Sequence, residues 1–128
     1  MGLDVGMVVP AGFWSTSIDA RRRTLADISA AGIDLVYMAD HVSFHDGAGT
    51  DGFVEVAALS QLNPDLRVMI SIYLLPLRHP LPVARQLATM SVVAPGRMLF
   101  GVGIGGEDRH EMEVCGVDPS SRGRLTNE

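Results

Sequence analysis

The chain has 128 residues, 47% of them hydrophobic and 20% charged, with 15 acidic against 10 basic side chains and a net charge of −5. That size and polarity fit one globular domain, residues 1–128, and the scattered arginines make no nucleic-acid footprint. No apolar run reaches the ~18 residues of a membrane span, the start MGLDVGMVVP lacks the basic region of a signal peptide, and the single cysteine, Cys115, excludes an intramolecular disulfide, so a reducing, cytoplasmic setting is expected.

Leu3–Val9 is a short apolar run that reads as a buried strand, ended by Pro10-Ala11-Gly12. From Ser17, Ile18, Leu25, Ile28 and Gly32 fall on one helical face, with Arg21-Arg22-Arg23 elsewhere as a solvated surface. Leu35–Ala39 is a second strand, closed by Asp40-His41, and a Gly- and Asp-rich loop runs from His45 to Gly52. Asp51 is placed to cap a helix over Phe53–Leu62, which Asn63-Pro64 stops. Leu66–Leu75 is the strongest strand pattern. After a loop punctuated by prolines from Pro76 to Pro82, Val83, Leu87, Met90 and Ala94 mark a helix. Arg97–Val102 is a fourth strand, Asp108–Cys115 a short helix, and the remainder to Glu128 a polar stretch.

Strands apolar on both faces that alternate with helices predict a parallel sheet covered by helices, either a doubly wound sheet or part of a (β/α)8 barrel. The stretch GVGIGGE, residues 101–107, contains G-x-G-x-x-G. A dinucleotide fingerprint belongs at the first strand-to-helix turn, with an acid about 20 residues later at the end of the next strand. Here the glycines follow the fourth strand, and the first turn has no glycine cluster. Two readings remain: Gly101 and Gly103 permit tight packing, or the backbone is kept bare for a flat ring to approach the strand ends, where β/α barrels place their chemistry.

ADHV at 39–42, LLPLRHPLPVARQLATMSVVAPGR at 74–97, FGVGIGGEDRHE at 100–111 and VDPSSRGRLTNE at 117–128 together resemble the bacterial luciferase-like monooxygenase superfamily, closest to its deazaflavin-dependent (F420) oxidoreductase branch. The resemblance implies the N-terminal half of a (β/α)8 barrel: four parallel strands in the order 1-2-3-4, helices on the convex side, and a sequence that stops where the fourth helix is due. It implies an oxidoreductase moving a hydride between F420 or a flavin and a small organic substrate, with an FMN-dependent, dioxygen-using monooxygenase or a non-catalytic half-barrel as alternatives. His41 and Glu107 are the expected catalytic residues; Gly106 is the alternative occupant of the carboxylate position. Asp40, Ser71, Ile72, Gly103, Ile104, Gly105 and Gly106 are expected to meet the cofactor, Ser71-Ile72 through a bulge or a cis peptide.

The plainer readings are that Asp40 caps its loop while His41 bonds a carbonyl, and that Arg78-His79-Pro80 shapes a loop. Asp40, His41, His45 and Asp46 are too local to fix a metal without a further ligand, so none is expected. The open strand edges predict a homo-oligomer or pairing with another half-barrel, with Val5, Met7, Phe100 and Val102 as uncovered interior side chains.

Overall fold

A computed structural model describes residues 2–45, 47 and 49–128. Four strands, β1 (Gly6–Val8), β2 (Leu35–Met38), β3 (Arg67–Leu74) and β4 (Met98–Gly103), form one parallel sheet in the order β1-β2-β3-β4. Sequential order results when each crossover moves the same way. The helices are α1 (Ile18–Ala30), α2 (Gly52–Leu62), α3 (Pro80–Val93), α4 (Arg109–Val114) and α5 (Arg122–Asn127). This is the architecture of the N-terminal half of a (β/α)8 barrel, as the sequence predicts.

Helix starts follow local chemistry. The Ser17 hydroxyl accepts from Ala20 N at 3.3 Å, and the Asp51 carboxylate from Val54 N at 3.0 Å. Helix α3 begins earlier than the predicted Val83, because His79 caps it through Nδ1 (Leu81 N, 3.2 Å) and Pro80 sits in its first turn. A proline there removes only an N–H that has no helical partner. The predicted polar tail contains the helix α5, packed against residues 75–77.

The core lies between sheet and helices, with Leu25, Ile28, Val36, Val56, Leu59, Val68, Ile70, Val83 and Met90 buried. Phe53, Tyr73 and Phe100 meet there with ring centroids 5.1–5.6 Å apart. The Arg97 guanidinium donates to the carbonyls of Ser60, Asn63 and Leu66, which ties the end of α2 to the base of the sheet.

Register corrects the phase of the predicted interior side chains. Met7 pairs with Val36, Val36 with Val68, and Val68 with Met98, and this row packs on the helix side. Phe100 packs on the same side. Side chains alternate along a strand, so Val5 and Val102, which are 45% and 42% exposed, share that face too. The opposite face carries Val8, Tyr37, Met69 and Leu99.

β3 is irregular where expected. The Ser71-Ile72 peptide is cis, and the β3–β4 register shifts between Ile70 and Tyr73. The glycines of β4 answer this irregularity. A Cβ on Gly101 would lie 2.8 Å from the Ile70 carbonyl oxygen, and one on Gly103 would lie 2.8 Å from Ile72 Cγ2. The packing reading of the glycine stretch therefore holds for these two positions.

Candidate active site at the carboxyl ends of the strands

Three loops converge at the C-terminal ends of β2, β3 and β4. They are 39–51 after β2, 75–79 after β3 and 104–108 after β4. Two hollows of about 300 Å³ each lie among them. Both are bordered by His41, Ile72, Leu74 and Glu107. The first is completed by Phe44, the run Gly103–Gly106, Asp108 and Glu111. Ala39, Asp40 and Ser71 complete the second. The structure thus gathers all the predicted site residues around one rim.

Their surroundings differ. The Asp40 side chain is fully buried and its acceptor positions are filled. Gly52 N and Leu74 N each donate to it at 3.0 Å, and Arg78 donates through both terminal nitrogens, at 2.5 and 2.9 Å. The Arg78 guanidinium also lies over the Tyr73 ring, 4.5 Å from its centroid. A buried carboxylate costs several kcal/mol unless paired and hydrogen-bonded. Here that pairing joins the ends of β2 and β3 to the start of α2. Asp40 thereby anchors the loop after β2, and Arg78 ties the loop after β3 to it. Burial raises the Tyr73 hydroxyl pKa above its ordinary value, with the Arg78 charge acting in the opposite direction.

His41 is a partly exposed ring on the rim, 22% accessible. It stacks on Phe44 with centroids 4.2 Å apart and planes at 29°. Its Nδ1 stands 3.3 Å from Glu111 Oε2. Glu111 is 3% exposed, and its other oxygen accepts from Val42 N at 2.6 Å and Ser43 N at 3.1 Å. Glu107, by contrast, is exposed.

Glu111 is the site residue that sequence reasoning missed. The spacing Asp108-x-x-Glu111 is that of a capping box, in which the glutamate would turn back on its own helix. Asp108 does cap α4, accepting from His110 N at 2.9 Å. Glu111 reaches instead across the end of β3 to the loop after β2. Asp108 accepts from His45 N as well, at 2.9 Å, so two acids of one short helix staple that loop. Hydrogen bonding, led by the His45 amide, holds the Asp108 pKa below its ordinary value.

Among the described residues no group of three or more His, Cys, Asp or Glu side chains could hold a metal ion. Asp46, weighed as a ligand, lies outside them. No described helix is long and apolar enough to cross a membrane.

No curated protein matches the chain significantly. Solved structures do. The oxygenating constituent of 3,6-diketocamphane monooxygenase from Pseudomonas putida, in complex with FMN, superposes with a TM-score of 0.75 at 17% identity, over 98% of this chain and 38% of that one. An F420-dependent secondary alcohol dehydrogenase in complex with an F420-acetone adduct gives 0.73 at 23% identity, over 98% and 39%. The coenzyme F420 dependent tetrahydromethanopterin reductase from Methanopyrus kandleri gives 0.68 at 15% identity, over 99% and 39%. These likenesses concern the fold, and the chain spans 38–39% of the length of those proteins. The profile of the luciferase-like monooxygenases matches residues 4–128, and the chain belongs to that family.

Proposed function

We propose that this chain forms the ring-facing part of the active site of an oxidoreductase that moves a hydride between the deazaflavin F420 and a small organic substrate. The observation that carries the reading is the meeting of His41 with an uncovered glycine run and an apolar bed in one hollow. The cofactor, when bound, supplies the hydride chemistry. Ile72, Leu74 and Ile104 offer apolar support to a flat ring, and the backbone of Gly105 and Gly106 borders it, while Gly103 makes room for Ile72. For an alcohol substrate, the carbon gives up a hydride and the hydroxyl its proton. His41 takes that proton, and Glu107 is the second proton-handling group on the rim. Asp40 and Ser71, on the adjoining hollow, hold the ends of β2 and β3 against the same ring.

The lining suits a ring better than a phosphate tail, because it includes no Lys or Arg. The tail is therefore anchored outside this hollow. An FMN-dependent monooxygenase using dioxygen is the second reading, favoured by the FMN-complexed neighbour. Pairing with a second copy or another half-barrel accompanies either reading, because β1 and β4 are the outer strands of the sheet.

The test is amide shift mapping of the labelled chain with F420 and, separately, with FMN, at concentrations that saturate weak sites. Shifts centred on Ile72 and on residues 103–107 support the site, and a stronger response to F420 supports the deazaflavin. Shifts confined elsewhere, or none, reject it.

A further inference from the structure

We infer that Glu111 is a positioning residue that fixes the tautomer of His41, so that the neutral imidazole carries its proton on Nδ1 and leaves Nε2 bare. The argument begins with the two backbone amides. Val42 N and Ser43 N both donate to Glu111 Oε1, at 2.6 and 3.1 Å, and a backbone N–H has no other role to offer. They hold the buried carboxyl group with acceptor oxygens inward. An ionised carboxylate has no donor. Its second oxygen, 3.3 Å from His41 Nδ1, completes a hydrogen bond only if that nitrogen donates.

In a neutral imidazole the other nitrogen is then an acceptor. Phe44, stacked 4.2 Å away, limits rotation of the ring, and the described residues give Nε2 no hydrogen-bond partner. The ring, which borders the hollow together with Glu111, thus offers a proton acceptor at Nε2. This is the logic by which a carboxylate orients a histidine elsewhere in enzymes. Placing that acceptor against a substrate rests on the function proposed above; the tautomer itself does not.

The experiment is long-range proton–nitrogen correlation on the histidine-labelled chain at mildly alkaline pH, without cofactor, with His41 assigned by its loss in His41→Ala. The expected result is a proton on Nδ1. In Glu111→Gln the amide oxygen stays with the two backbone donors, and its NH2 group then faces Nδ1, which must accept. The proton is therefore expected to move to Nε2, inverting the tautomer at nearly constant side-chain volume. Asp108→Asn loosens the same loop without touching the ring and is expected to leave Nδ1 protonated. An Nε2-protonated His41 in the unsubstituted chain overturns the inference with no variant needed. So does an Nδ1 proton that persists in a folded Glu111→Gln. Because no cofactor is present, failure here is distinct from failure of the cofactor-mapping experiment.

Discussion

Arg78 grips Asp40 with a two-pronged hydrogen bond, Nη1 to Oδ2 at 2.5 Å and Nη2 to Oδ1 at 2.9 Å, across the mouths of β2 and β3. The acid next to His41 is therefore a structural anchor. Its charge is neutralised within the protein by the Arg78 guanidinium.

Removing one partner of this pair leaves a buried charge uncompensated, which costs about 3–5 kcal/mol. Arg78→Ala is expected to lower the unfolding free energy by that amount, read by urea denaturation at fixed protein concentration. Arg78→Lys keeps the charge but loses the planar fork, and should fall between the two. A loss under ~1 kcal/mol in Arg78→Ala would show that water readily replaces the guanidinium.

Gly101→Ala tests the crowding of β4 against the β3 irregularity. The new methyl would meet a backbone oxygen at 2.8 Å, which cannot rotate aside, so overpacking should cost about 1–3 kcal/mol. Gly123, in α5, has open space around the same position. Gly123→Ala is expected to be neutral or to stabilise by about 0.5–1 kcal/mol through helix propensity. Equal thermal shifts in the two variants would contradict this contrast.

The strand order 1-2-3-4 was implied by the family resemblance, since the sequence pattern left a doubly wound sheet open, but the strands themselves were legible because each is an apolar run bounded by proline, glycine or aspartate. The cap at Asp51 was legible for the same local reason. The phase of β1 and β4 was not: Val5, Met7, Val9, Phe100 and Val102 are apolar whichever face they occupy. Only register with β2 and β3 assigns them. Helix α5 was hidden by Pro119 and by polar composition; its Arg124–Glu128 pair at 2.6 Å lies at helical i,i+4 spacing. His41 was singled out by the family resemblance at the ADHV stretch. Its partner Glu111 was hidden because it lies 70 positions away in a spacing that a helix cap explains equally well.

Acid should release the β2–α2 loop from α4. Hydrogen bonding from the His45 amide first, and from the amides of His110 and Glu111, lowers the Asp108 pKa from its ordinary 3.8. The folded state then holds this proton less tightly than the unfolded one, so the contact contributes fully above pH 3.8 and fades as pH falls through the lower, folded value. The His45 amide signal, followed on acidification, is expected to move only below 3.8. In Asp108→Asn that inflection should vanish. An inflection at the ordinary value in the unsubstituted chain would mean that the loop staple does not form.

Cofactor affinity in this chain should be weak and should rise with salt. The hollow beside His41 is lined by Glu107, Asp108 and Glu111 and by no Lys or Arg. A ring resting on Ile72, Leu74 and Ile104 gains apolar contact, but an anionic tail leaving that ring passes close to acidic side chains. Carboxylate–phosphate repulsion at such distances is worth about 1 kcal/mol per close pair in water, and salt screens it over roughly 10 Å at 0.1 M. Titration of the monomeric chain with F420 or FMN is therefore expected to give a dissociation constant weaker than about micromolar, the level that needs −8 kcal/mol. The affinity should improve as sodium chloride is added. Glu107→Gln, exposed and outside the loop staples, should strengthen binding at low salt and flatten the salt dependence. Micromolar binding by a chain that sedimentation shows to be a monomer, weakening with salt, would mean that the described rim already holds a site for the anionic tail.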